Sequence, residues 1–279
     1  FNHHKNNHNY MWDNKYPHVK NLFSNNLYKL FKIKDKKIDK IKKADIAASA
    51  QSVFEEILLY LCNYLFDKTN SKNLILSGGC AMNTLANGKI LSKTNFKNIF
   101  IQPASPDNGG ALGAAYLGNL ILNKKRTNPF KNSYLGPSYS EKDILKIFEN
   151  YQNKITIKKF HKFGNGFYDH IASLLKKKKI IGWFQDKMEW GARALGNRSI
   201  LADPRKFEMK NIINQKIKLR EKFRPFAPLI LEEEAKKWFE NIKSEPYMMR
   251  VYKAKKKKST KIEAVVHHDG TSSCLLYTS

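Results

Sequence analysis

The sequence predicts an α/β protein, α+β overall, in two domains, and three observations carry that prediction. Short apolar strands twice run into glycine-rich turns that open helices, at residues 74–83 and 99–122. That is the arrangement in which an α/β sheet offers its strand ends to a ligand. A second run of helix-period and strand-like segments restarts after the Gly136-Pro137 break. Finally, 279 residues with 42% hydrophobic and 12% aromatic content supply the length and apolar material of two cored domains, which excludes a disordered or collagen-like chain. No apolar run reaches the ~20 residues of a membrane-spanning helix, and no charged-then-apolar leader follows Phe1, so no membrane partner is expected. The Phe start itself suggests a fragment.

Residues 1–43 have no clean period and read as irregular structure with a short helix; His3, His4 and His8 fall there without the carboxylates or spacing of a metal site. From Asp45 to Phe66, apolar residues at Ile46, Ala50, Val53, Phe54, Ile57, Leu58, Leu61 and Leu65 mark a core helix. A strand over Leu74–Leu76 leads into Ser77-Gly78-Gly79, and a second over Ile99–Gln102 leads through Asp107 and Gly109-Gly110 to a small-residue helix over Ala111–Leu122. The second half predicts a helix over Glu141–Tyr151, a strand over Ile155–Phe160, a helix over Tyr168–Lys177 and a strand over Ile180–Gln185. A helix near Glu208–Ile217, a strand-like Ala227–Leu231, a helix through Glu240 and a strand over Tyr247–Ala254 complete it, with Lys255–Lys258 as an exposed loop.

A net charge of +27, from 51 basic and 24 acidic residues, raises nucleic acid as a partner. Its composition argues otherwise. All but seven of the basic residues are Lys, spread among Asn and Ile as AT-rich coding produces, and five of the seven Arg (193, 198, 205, 220 and 224) lie within 32 residues. Where Lys is the default cation, clustered Arg indicates a planar, bidentate donor for phosphate or carboxylate. Cys62, Cys80 and Cys274 show neither disulfide-framework nor ligand spacing, which fits a reducing, cytoplasmic setting, and Cys62 falls on the apolar side of its helix.

The segment from Gly182 to Arg205 delivers Arg193 and Arg198 from a strand into a glycine-punctuated loop beside Asn197 and Ser199, an anion-binding arrangement. Arg220 and Arg224 follow beside Phe223, Pro225 and Phe226, where rings can stack an adenine; surface ion pairing is the plainer reading of that second cluster. Gly78 and Gly79 let a ligand approach the backbone, and Asn83 offers a donor and an acceptor there.

These motifs, in order from Asp45-Ile46-Ala47 through Leu76–Asn83, Gln102–Ala115, Gly182–Arg205 and Arg220–Pro228 to His267-His268-Asp269-Gly270-Thr271, resemble the O-carbamoyltransferases of the nodulation and antibiotic-tailoring type. The resemblance covers roughly residues 40–272. It implies that residues 1–137 are part of an actin- and sugar-kinase-like ATPase domain lacking its N-terminal lobe. It implies that residues 138–272 form a domain similar to threonylcarbamoyl-AMP synthase, and it leaves 273–279 as a foreign or truncated tail. The implied activity is formation of carbamoyl adenylate from carbamoyl phosphate and ATP, then transfer of the carbamoyl group to a hydroxyl of a sugar-like or natural-product acceptor. Adenylation supplies the leaving group that a carbamate lacks.

By the same resemblance Arg193 and Arg198, supported by Arg224, hold phosphates. Gly78, Gly79, Asn83, Gly109 and Gly110 line the adenylate pocket with Asn197 and Ser199, and Asp107 ligates a divalent metal, iron or magnesium. The family's metal-binding histidine pair has no match here, so that site is incomplete in this chain, and His267 and Asp269 match a family motif whose role the sequence does not derive. Competing readings are another ATP-dependent transferase or kinase of the actin-like fold, which leaves the Gly182–Arg205 segment unexplained, and a basic nucleic-acid-binding protein, for which charge is the only support.

Overall fold

Why the two glycine loops meet is visible in one strand pair. β3 (Asn73–Leu76) and β4 (Asn98–Ile101) run parallel, with Ile75 opposite Phe100 and Leu76 opposite Ile101, so both strands end on the same side. There the Gly78 N–H donates to the Ser105 carbonyl at 2.8 Å. The computed structural model of the chain describes residues 11–13, 16–18, 25–33, 38–126, 128, 130–160 and 164–277, and His3, His4 and His8 lie outside them.

The chain divides into two units, residues 1–61 and 62–279. The first carries an antiparallel pair, β1 (Met11–Asp13) and β2 (Tyr16–His18), then helix α1 (Asn25–Leu30) and most of α2 (Lys40–Thr69). The long helix forms as its period predicts. Its description as a core helix is corrected, because Cys62 is its one buried residue while Val53, Ile57, Leu61 and Leu65 are exposed. Periodicity sets which residues share a face, and packing decides whether that face is covered.

In the second unit α3 (Thr84–Lys93) is capped by the Asn83 carboxamide, which accepts from the Ala86 N–H at 3.1 Å. α4 (Asn108–Asn123) follows β4, and α5 (Glu141–Glu149) begins at a capping box between Ser140 and Asp143. Residues 155–160 are not a strand: Ile155 and Ile157 are exposed, and alternation without a paired neighbour does not make a ladder. α6 (Asn165–Lys176) leads into the antiparallel hairpin of β5 (Ile181–Phe184) and β6 (Arg198–Leu201), followed by α7 (Phe207–Lys216).

β7 (Leu229–Leu231) and α8 (Glu232–Trp238) follow. The strand expected over Tyr247–Ala254 is reduced to β8 (Tyr252–Lys253), paired with β9 (Thr271–Ser272), and Lys256–Ser259 makes a single helical turn, α9, where a loop was expected. The shortened strand has a cause: Tyr247, Met248 and Met249 are buried in a core shared with Ala81, Ile101 and Leu195. β10 (Leu275–Tyr277) lies parallel to β7, and Cys274, Leu275 and Leu276 are buried, so residues 274–277 of the stretch that the sequence sets apart as a tail pack within the second unit.

That core joins residues on both sides of the break at 137. Asn87 is buried, and its amide donates to the Ala81 carbonyl at 2.7 Å and the Met249 carbonyl at 2.9 Å, while the Val251 N–H donates to the Thr84 carbonyl at 3.3 Å. Replacing Asn87 with Ala strands two buried carbonyls. Asn87→Ala is therefore expected to lower stability by about 1–3 kcal/mol, read as a shifted urea midpoint; an unchanged midpoint would mean that water replaces the amide at no cost.

Candidate functional site

Of the residues predicted to bind anions, Arg193 and Asn197 lie on the loop between β5 and β6 while Arg198 and Ser199 open β6, and a carboxylate organises that loop. Glu189 is buried. One of its oxygens, Oε1, accepts from the N–H groups of Leu195 at 2.7 Å, Asn197 at 2.7 Å and Arg198 at 3.2 Å. The backbone donors that a glycine-rich loop could offer a phosphate are thus taken by the protein's own anion. Burial alone would raise the Glu189 carboxyl, but hydrogen bonds from its own N–H and from those three outweigh it, and the group sits below the ordinary glutamate range. Two glycines make the turn: Gly191 and Gly196 have φ of +120° and +109°, and a Cβ on Gly196 would stand 2.7 Å from ring carbons of Tyr277.

Arg198 extends the same framework. Its guanidinium donates to the carbonyls of Gln185, Asn197, Asp186 and Pro137 and lies 3.6 Å from the Phe184 ring centre. Asn197 is buried with its amide on the Lys187 carbonyl and its oxygen accepting from Gln185, and Ser199 accepts from the Gly196 N–H. Tyr134 donates to the Leu195 carbonyl at 3.0 Å, so the 130s brace this loop.

Beside it opens a cavity of about 510 Å³, within the range of small-molecule sites. Trp183, Ile200, Met209 and Phe226 give it apolar walls, and Arg198, Ser199, Lys210 and Lys218 bring donors and positive charge. Arg193, Asn197 and Arg224 are not among its lining residues. Arg193 instead lies near the buried Glu245, which is paired with Arg250. Burial lowers the Arg193 guanidinium and the Glu245 charge partly restores it, and its buried Nε has no hydrogen-bond acceptor among the described residues. Arg224 is exposed and bridges Glu221 at 2.8 Å, whereas Arg220 donates to Asn214 and Pro225 and lies 4.9 Å from the Phe226 ring centre. Arg205 is held by Asp203.

Gly78, Gly79, Gly109 and Gly110 gather at the ends of β3 and β4. Gly78 has φ +92° and lies, like Gly79 and Gly110, beside open space, while a Cβ on Gly109 would overlap the Ala104 carbonyl. Asp107, also there, is exposed at the start of α4. Among the described residues no three His, Cys, Asp or Glu side chains converge, so the residues present do not make up a metal centre around Asp107. No helix among them is long and apolar enough to cross a membrane, and the three cysteines are free.

Sequence reasoning missed Glu189, Lys210, Lys218 and Tyr277. For Glu189 a signal existed: an acid between Met188 and Trp190, followed by glycines at 191 and 196, is a carboxylate positioned to be wrapped by backbone donors. Nothing local distinguishes Lys210 and Lys218 from their many neighbours.

Residues 2–116 match the family described as carbamoyltransferase N-terminus and residues 172–275 match carbamoyltransferase C-terminus. Among similar proteins, an uncharacterized protein of Synechocystis sp. is 41% identical over 218 residues, covering 75% of this chain and 35% of the relative. Nodulation protein NolO of Bradyrhizobium diazoefficiens is 36% identical over 233 residues, with 82% and 42% covered. Nodulation protein NolNO of Sinorhizobium fredii is 37% identical over 233 residues, with 82% and 34% covered. The chain belongs to the carbamoyltransferase family, a family of enzymes, and it spans between about a third and two fifths of the length of these relatives.

The wrapped carboxylate makes the loop sensitive to acid. Because the folded value of Glu189 is depressed, its contribution to stability is present above the ordinary glutamate range and is lost as pH falls from there through the folded value. Glu189→Gln is expected to cost about 1–3 kcal/mol at neutral pH and to flatten the loss of stability on acidification below that range. Parallel urea midpoints of the two proteins from neutral to acid pH measure this, and identical slopes would refute it.

Proposed function

We propose that the protein to which this chain belongs is an ATP-dependent carbamoyltransferase, and that the cavity beside the β5–β6 loop is where carbamoyl adenylate forms from carbamoyl phosphate and ATP. The observation that carries this reading is the cavity's composition: aromatic and aliphatic walls suited to an adenine, with Arg198, Lys210 and Lys218 at one chamber suited to phosphates. Water releases phosphate from carbamoyl phosphate to leave carbamate, and a carbamate oxygen then attacks the α-phosphorus of ATP, expelling pyrophosphate and forming carbamoyl-AMP. Transfer to a hydroxyl of a sugar-like or natural-product acceptor then releases AMP.

The residues divide the work. Lys218 and Lys210 face phosphate charge, as ions placed where negative charge gathers. Arg198, with its donors spread over backbone carbonyls, holds the wall rigid and adds its positive charge. Arg224 is tied by an exposed ion pair worth about 0–1 kcal/mol, so turning toward a phosphate costs it little. Arg193 keeps one unpaired donor for an anion. Gly78, Gly79, Gly109 and Gly110 form a second place of close backbone approach, assigned to the adenylate during transfer. No step is routed through a metal at Asp107.

Carbamoyl-phosphate-dependent release of pyrophosphate from ATP tests the reading. Lys218→Ala and Arg198→Ala are each expected to lower it at least about tenfold, the cost of one charge-assisted contact, with Arg205→Ala near the unaltered rate because Arg205 faces solvent on Asp203. Pyrophosphate release that ignores carbamoyl phosphate would overturn the assignment.

A further inference from the structure

The motif near the end of the chain forms a hydrogen-bonded relay that ends in an unused acceptor. The Thr271 hydroxyl lies 2.7 Å from Oδ1 of Asp269 and 3.2 Å from Nδ1 of His267, and Asp269 Oδ1 also accepts the Thr271 N–H at 2.9 Å. A carboxylate accepts only, so the single hydroxyl proton goes to Asp269, and Thr271 must accept from the ring. His267 is thereby fixed with its proton on Nδ1. Its Nε2, a bare lone pair, is buried and has no partner among the described residues.

Next to it is a second unpaired group. Lys210 is buried, its ammonium lies 4.6 Å from the Phe207 ring centre, and no carboxylate pairs with it among the described residues. It lines the 510 Å³ cavity and also both clefts beside His267. Burial, reinforced by Lys210 and His268 and opposed by Asp269, keeps the imidazole below its ordinary range and neutral. A buried acceptor beside an uncompensated cation is complementary to a ligand with an N–H donor next to an anionic oxygen.

Resting on the carbamoyl-phosphate reading, we propose that His267 and Lys210 form the subsite that recognises the carbamoyl end of carbamoyl phosphate, Nε2 accepting an N–H of its amide while Lys210 faces its phosphate. Asp269 and Thr271 are positioning residues that hold the ring in the accepting tautomer. Lys210 and His268 line both clefts beside His267, so the ligand enters between them.

Acetyl phosphate tests this directly, since it replaces the amide by a methyl group of similar size and keeps the acyl phosphate. Calorimetric titration is expected to show carbamoyl phosphate bound about tenfold or more tightly than acetyl phosphate by the unaltered protein. His267→Ala should erase that preference while leaving acetyl phosphate affinity unchanged. Asp269→Asn and Thr271→Val should reduce it, and these milder changes serve if His267→Ala does not fold. Lys210→Met should weaken both ligands alike. A preference that survives all three relay variants, as it would if only a water meets Nε2, overturns the subsite and leaves the carbamoyl-phosphate reading standing. If neither ligand binds the unaltered protein, that reading falls and the subsite with it.

Discussion

One buried carboxylate holds the β5–β6 loop in shape. Without an anion at its centre, three backbone N–H groups of Leu195, Asn197 and Arg198 would point inward with nothing to accept them, and the turn would open. Glu189 meets all three through one oxygen, so a loop with two left-handed glycines leaves none of these inward donors unsatisfied. The consequence for chemistry is that the loop does not itself cradle a phosphate. It presents side chains instead, and Arg198 faces the neighbouring cavity only because the turn behind it is closed.

Around this loop the second unit is built from small strand pairs tied by long-range polar contacts. The parallel β3–β4 pair brings two glycine turns together, and Asn87 and Thr84 fasten the helix after the first turn to residues 249–251. Tyr134 does the same for the β5–β6 loop from the other side of the break at 137. The segments on both sides of that break therefore share a core of Ala81, Ile101, Leu195 and Met249.

Positive charge in this protein is abundant and mostly uninformative. What separates the cations that matter is what surrounds them: Arg205 is spent on Asp203 and Arg250 on Glu245, whereas Lys210 and Lys218 stand at a cavity wall. Lys210 is buried with no carboxylate paired to it among the described residues and Lys218 is exposed at the rim, and the proposed phosphate site rests on this placement rather than on the net charge of +27.

Local sequence determined the helices, the strand–glycine–helix units and the motif order by which the family could be read, because those depend on periodicity, turn chemistry and spacing within a few residues. The long α2 helix was legible as a helix, yet its apolar stripe lies largely exposed; Ile155–Phe160 had strand composition and found no partner. Of the candidate site residues, Arg198 and Ser199 were legible and do line the cavity, while Arg193 turns toward Glu245 and Arg224 toward Glu221. Lys210 and Tyr277 were decided by tertiary structure, whereas Glu189 and the His267 relay bond within nine residues of themselves and left a local trace in the sequence. Which side chains share a cavity depends on segments that the fold brings together, Lys210 of α7 and Tyr277 of β10 against Arg198 and Ser199 of β6, and no short-range pattern encodes that.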